Sequence, residues 1–114
     1  PGINFSAVAS FSLARAAMDA VKEGERVHVG PIVSKDHFYL AVPGQTDALA
    51  AYGVLGVDME AAAMYAIAAE FGREALTVLT VSDHLFDSSS DMTPEERESK
   101  FQLALRLACA AALS

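Results

Sequence analysis

Apolar positions along the chain switch between a spacing of about 3.6 residues and one of about 2, and the switches mark alternating helices and strands. Over residues 11–23, Phe11, Leu13 or Ala14, Ala17, Met18 and Val21 recur at helical spacing, with Ser10 or Ser12 available as a cap and Gly24 as the residue that ends the helix. Residues 1–10 hold Gly2, Asn4 and Ser6 among small apolar side chains and read as a loop leading into it. The β-branched run 27–33 predicts a strand. Its Gly30-Pro31 pair predicts a bulge or an edge position, because proline donates nothing to a ladder. Residues 34–37 form a polar turn, 38–42 a second extended piece, and 45–52 a short helix stopped by Gly53.

The clearest pattern spans residues 54–83. Residues 54–57 are a short apolar strand. Residues 60–71 contain neither Gly nor Pro and consist mostly of good helix formers, with Met64, Ile67 or Ala68, and Phe71 as the buried stripe and Gly72 just past the end. The small side chains of Ala61, Ala62, Ala63, Ala66, Ala68 and Ala69 let this helix lie close against its neighbours. Residues 76–81 are apolar on both faces apart from Thr77 and Thr80, the pattern of a strand covered on both sides in a parallel sheet. A crossover of this kind returns the second strand parallel to the first. It would place Glu60 and Asp83 at the same carboxyl edge, where open α/β sheets bind ligands.

Beyond that unit, Asp87-Ser88-Ser89-Ser90-Asp91 reads as a mobile active-site loop. Order restarts at Thr93-Pro94-Glu95-Glu96, where Thr93 caps, Pro94 suits the first helical position and Glu96 completes a capping box. A helix to about residue 113 follows, with Phe101, Leu105 and Ala108 or Cys109 on one face, widened by Leu103 and Leu107. The alternation predicts an α/β fold: a mixed, largely parallel sheet with helices on both faces, and residues 1–114 belonging to a single domain.

Composition narrows the function classes. With 114 residues, 53% of them hydrophobic, the chain can build one core but not two. A formal charge of −7 argues against nucleic-acid or anionic-membrane partners. The single cysteine, Cys109, excludes an internal disulfide. Lying among alanine and leucine, it reads as a buried, inert thiol in keeping with a reducing cytoplasm. No apolar run approaches the roughly 20 residues that span a bilayer. No basic segment followed by an apolar core opens the sequence, and the start at Pro1 reads as a processed product or a fragment.

Several chemistries are poorly served. His28, His37 and His84 show no metal-ligand spacing and Cys109 has no partner ligand nearby, so no metal is expected. There is no GxSxG elbow, and Ser82, Asp83 and His84 are sequence neighbours whose side chains cannot all converge. Neither GxGxxG nor a phosphate-binding P-loop is present. What remains is acid chemistry. Asp83, at the end of an apolar run, is either a general acid that Arg97 swings in to pair with, or a carboxylate that pins a loop while Arg97 is a solvated helix charge. Glu60 is either a carboxylate favoured by the positive end of a helix or a bidentate acceptor for two adjacent hydroxyls such as those of a ribose.

The run Gly56-Val57-Asp58-Met59-Glu60-Ala61-Ala62, then Ala68-Ala69-Glu70-Phe71-Gly72, then Leu76-Thr77-Val78-Leu79-Thr80-Val81-Ser82-Asp83-His84, closely resembles the bacterial DeoD-type purine nucleoside phosphorylases of the nucleoside phosphorylase superfamily. Glu96-Arg97 with Phe101, and the opening Asn4-Phe5-Ser6-Ala7-Val8-Ala9, extend the resemblance. It covers essentially the whole chain but only the C-terminal half of such an enzyme. It implies reversible phosphorolysis of a purine nucleoside to free base and ribose 1-phosphate, with phosphate as co-substrate, no cofactor, and a homo-oligomer, a hexamer for the full-length protein. By resemblance Asp83 would protonate the purine N7 and Arg97 would close onto Asp83. Met59 and Glu60 would hold the ribose, Phe5 would stack on the base, Val57 would line its pocket, and Ser82 would touch its base side. The chain differs at Asp58, where the family commonly has glutamate. The family's phosphate site lies in its N-terminal half, and Arg15, Arg26, Arg73, Arg97 and Arg106 form no phosphate cluster after a strand. Two other readings compete: a nucleosidase of the same superfamily that uses water in place of phosphate, against which His84 and Arg97 speak, and a non-catalytic fragment or binding module.

Overall fold

The computed structural model describes residues 2–37, 42–85 and 92–114. In chain order its elements are α1 (Phe11–Asp19), β1 (Ile32–Ser34), α2 (Gln45–Ala51), β2 (Gly56–Asp58), α3 (Ala61–Glu70), α4 (Pro94–Lys100) and α5 (Gln102–Ala112). They fall into two compact units: Pro1–Ala9 with Gly24–Ala75, and Ser10–Glu23 with Leu76–Ser114. The expected α/β class is present, with a small parallel sheet that pairs β1 with β2.

The first unit is built on the parallel pair of β1 and β2, with Ile32 opposite Gly56, Val33 opposite Val57 and Ser34 opposite Asp58. Backbone hydrogen bonds from Leu55 N to Pro31 O and from Lys35 N to Asp58 O, both 2.9 Å, extend the pairing at either end. The connection between the strands carries α2. Pro43 and Gly44 lead into it through a turn closed by Gln45 N on Val42 O at 3.1 Å, with Gly44 at the positive φ that the third position of a type II turn requires. The strand expected over residues 27–33 is confined to the residues after Pro31. Leu55 packs against Gly30 so closely that a β-carbon there would lie 2.6 Å from Leu55 Cδ1, so any larger residue would have to displace the Leu55 side chain. The strand expected at 54–57 is shifted to end on Asp58. Residues 38–41, part of the second extended piece expected from the sequence, lie outside the described residues.

Helices α2 and α3 end in the same way. Gly53 N donates to Ala50 O and Val54 N to Leu49 O; Gly72 N donates to Ala69 O and Arg73 N to Ala68 O. Each is the paired bonding of a Schellman motif, with glycine in the left-handed conformation just after the cap. Gly72 was expected in this role. The stripe expected to be buried was not found so: Met64, Ile67 and Phe71 are exposed, Phe71 by 70%, and the buried residue of α3 is Ala61. Met64, Ile67, Ala68 and Phe71 instead line an open apolar groove of about 560 Å³, together with Arg73 and Ala75. An alanine-rich helix that is apolar nearly all round offers more than one face, and only a neighbour selects between them.

In the second unit, α1 packs on α5, and among the described residues Ala17, Leu107 and Ala111 are buried. Ser10 caps α1 by accepting from Leu13 N at 3.4 Å. The helix ends at Asp19, short of the expected residue 23. Ala20 N and Val21 N turn back onto Ala17 O and Met18 O, which tightens the last turn, and Arg106 Nη1 of α5 donates to Ala20 O at 2.8 Å. Thr93 caps α4 as expected, accepting from Glu96 N at 3.1 Å, with Pro94 at the first helical position. The single helix expected to about residue 113 is interrupted at Phe101, which separates α4 from α5.

Two further expectations are corrected. The face of α5 turned inward holds Leu107, expected only to widen the apolar face, together with Ala111, whereas Phe101 and Leu105 are exposed and Cys109 is an exposed thiol, not the buried one expected. Residues 76–81 form no strand: among the described residues they enter no ladder, so the strand–helix–strand unit with residues 54–57 does not form and the parallel partner of β2 is β1. A segment apolar on both faces is patterned for a central strand, which exists only with neighbours beside it. Among the described residues, no helix is long and apolar enough to cross a membrane.

The choice of face on α5 is measurable. Leu107, 2% exposed, should cost about 2–5 kcal/mol when replaced by alanine, the range for a buried leucine. Leu105→Ala, at a position 47% exposed, should change stability by no more than about 0.5 kcal/mol. Urea midpoints for the two variants check this, and equal shifts would restore the face inferred from periodicity.

Candidate active site

The most highly organised polar cluster lies where β2 meets α3. A helix start leaves backbone N–H groups without intrahelical partners, and here three consecutive ones are satisfied by two side chains. Asp58 Oδ2 accepts from Ala61 N at 2.8 Å and from Glu60 N at 3.3 Å. Ser34 Oγ accepts from Ala62 N at 2.9 Å and donates its own proton to Asp58 Oδ1 at 2.6 Å. The parallel register sets Ser34 directly opposite Asp58, which brings the hydroxyl and the carboxylate together across 24 residues of sequence. The carboxylate charge also sits at the positive end of α3, an interaction worth about 0.3–1 kcal/mol.

This cluster fixes the backbone turn that carries Met59 and Glu60. Glu60 is the N-cap residue of α3, with an exposed side chain at the carboxyl end of a parallel strand, and Met59 beside it is 44% exposed. Val57, half-buried at the centre of β2, precedes them opposite Val33. Phe5 belongs to the same unit, in a segment with neither helix nor strand, and is half exposed. The apolar groove lies instead toward the C-terminal end of α3.

The second unit holds the other three residues singled out from the sequence. Ser82 Oγ donates to Asp83 Oδ2 at 3.3 Å, and Asp83 is exposed. Met92 N donates to Ser82 O at 2.6 Å, which brings the start of α4 beside Ser82. Arg97 N in turn donates to Thr93 O at 3.0 Å, so the backbone of Arg97 is tied one turn beyond that junction. Among the described residues no ion pair joins Arg97 to Asp83. The polar run expected to form a mobile loop, residues 87–91, lies outside the described residues. Among the described residues no three His, Cys, Asp or Glu side chains group as metal ligands.

Sequence reasoning missed Ser34, which it placed in a polar turn, and left the role of Asp58 open. The local signal for Asp58 was present: an aspartate at the end of a strand readily accepts from the amides two and three residues ahead of it. No local signal exists for Ser34. Its role depends on the strand register.

Comparison with known proteins gives one consistent picture. The family model of the phosphorylase superfamily matches residues 2–114. A DeoD-type purine nucleoside phosphorylase of Colwellia psychrerythraea is 46% identical over 106 residues, which is 92% of this chain and 45% of that protein. The protein of the same description from Pasteurella multocida is 45% identical over 92% of this chain and 44% of its own length. That from Listeria welshimeri is 45% identical over 98% of this chain and 48% of its own length. The chain therefore spans about half the length of the curated relatives it matches.

Proposed function

Because the chain belongs to the phosphorylase superfamily, we propose that it is the nucleoside-binding, acid-supplying part of a purine nucleoside phosphorylase, residues 1–114 forming the C-terminal part of one α/β domain. The observation that carries this reading is the turn between β2 and α3, where Glu60 stands exposed at the end of a parallel strand on a backbone held by Asp58 and Ser34. An exposed carboxylate on a fixed backbone is suited to accept from the paired hydroxyls of a ribose. The names of the relatives, over nearly the whole chain, support the same reaction.

In that reaction the bond between the purine nitrogen and the sugar breaks as a phosphate oxygen bonds to the sugar carbon, giving free base and a pentose 1-phosphate. Positive charge develops on the sugar and negative charge on the purine, so acceptors belong around the sugar and an acid beside the base. Asp83 delivers a proton to N7 of the departing purine, and Arg97, on α4 beyond the junction at Ser82, closes onto Asp83. Met59 and Glu60 hold the ribose, Phe5 stacks on the base, and Val57 and Ser82 border it. Phosphate is the co-substrate, no further cofactor is required, and the working form is a cytoplasmic homo-oligomer.

Three outcomes test this in the longest natural polypeptide that carries the sequence. Base release from inosine or adenosine should require inorganic phosphate; release at the same rate without it would identify a nucleosidase instead. Asp83→Asn should lower phosphorolysis by about 10²-fold or more, the scale of a lost general acid, and near-normal turnover would remove Asp83 from that role. Glu60→Gln should weaken nucleoside binding far more than binding of the free base, and equal losses by calorimetry would make Glu60 structural.

A further inference from the structure

We propose that Ser34 and Asp58 act as one positioning unit for Glu60, so that a hydroxyl on β1 tunes how the ribose is held. This rests on the ribose-binding reading of Glu60. The two side chains join three amides in succession, those of Glu60, Ala61 and Ala62, to the ends of both strands. Asp58 is tied to β1 through its main chain as well, since Lys35 N donates to its carbonyl at 2.9 Å. The Glu60 amide is therefore held directly by the Asp58 carboxylate of β2, and Ser34 of β1 braces it at one remove, through Asp58 and the Ala62 amide.

The chemistry explains the residue types. The aspartate carboxylate reaches the amides two and three residues ahead of it, while its other oxygen accepts from the hydroxyl across the ladder. With these contacts made, the Asp58 carboxylate is occupied by the backbone and by Ser34, and its effect on substrate passes through Glu60. Ser34 is the only member that both donates and accepts within the cluster, so removing its hydroxyl frees Ala62 N and one Asp58 oxygen together.

Steady-state kinetics with inosine and phosphate, paired with hypoxanthine binding, test the idea in the natural full-length polypeptide. Ser34→Ala should raise the KM for inosine about tenfold or more, the scale of losing a hydrogen bond to a charged group. Hypoxanthine affinity should stay within about twofold, which also shows that the variant is folded. Ser34→Thr, which keeps the hydroxyl, should recover most of the loss. Adding Ser34→Ala to Glu60→Gln should raise KM little beyond Glu60→Gln alone, because coupled residues do not add. Additive losses, or equal losses for inosine and hypoxanthine, would overturn the positioning role. If Glu60→Gln raises KM and Ser34→Ala does not, this inference falls while the ribose reading stands. An unchanged KM for Glu60→Gln would overturn both.

Discussion

The constraint on which the candidate site depends is the set of unpaired amides at the start of α3. A helix that begins directly after a strand, with alanine at its first three positions, has no side chain of its own to satisfy them. Asp58 from β2 and Ser34 from β1 do so instead. One hydrogen-bonded cluster thereby ends a strand, starts a helix and locks the pairing register, because a slip of one residue would turn Ser34 to the other face of the sheet. Met59 and Glu60 occupy the turn that results. The stability of the junction and the placement of the Glu60 carboxylate have the same physical origin.

The remaining order in each unit comes from small residues and backbone closure more than from large side chains. Two helices end on glycine with the same paired bonds, and the buried residues among those described are Ala17, Ala61, Leu107 and Ala111. Alanine at a contact lets one backbone approach another closely, which suits the packing of α1 on α5 and Ala61 at the strand ends. Met64 and Ile67 of α3 and Leu105 of α5 face outward. Arg106 of α5 also reaches the carbonyl of Ala20, the residue that caps α1, so packing and hydrogen bonding select the same rotation.

Much of this was legible from residue order, because the signals concerned are local. Helix starts at Ser10 and Thr93, helix ends at Gly53 and Gly72, and the α/β alternation follow from groups a few residues apart: a hydroxyl and an amide three positions on, or a glycine where φ must be positive. The placement of Glu60 at the end of a short apolar strand followed from the same kind of reasoning. The motif around Asp58, Met59 and Glu60 also pointed to the family to which the chain belongs.

Tertiary structure decided what depends on a distant partner. Periodicity could not choose between the faces of α3, since a helix apolar nearly all round offers several, and in α5 it centred the face on Phe101 and Leu105, which are exposed, with the buried Leu107 only at its margin. It read residues 76–81 as a strand from composition, but a strand is a relation between two segments, and those residues enter no ladder among the residues described. Above all it gave Ser34 no role. The hydroxyl gains one only when parallel pairing sets it opposite Asp58, because a hydrogen bond spanning 24 residues is specified by the register of two strands and by nothing in the neighbourhood of either residue.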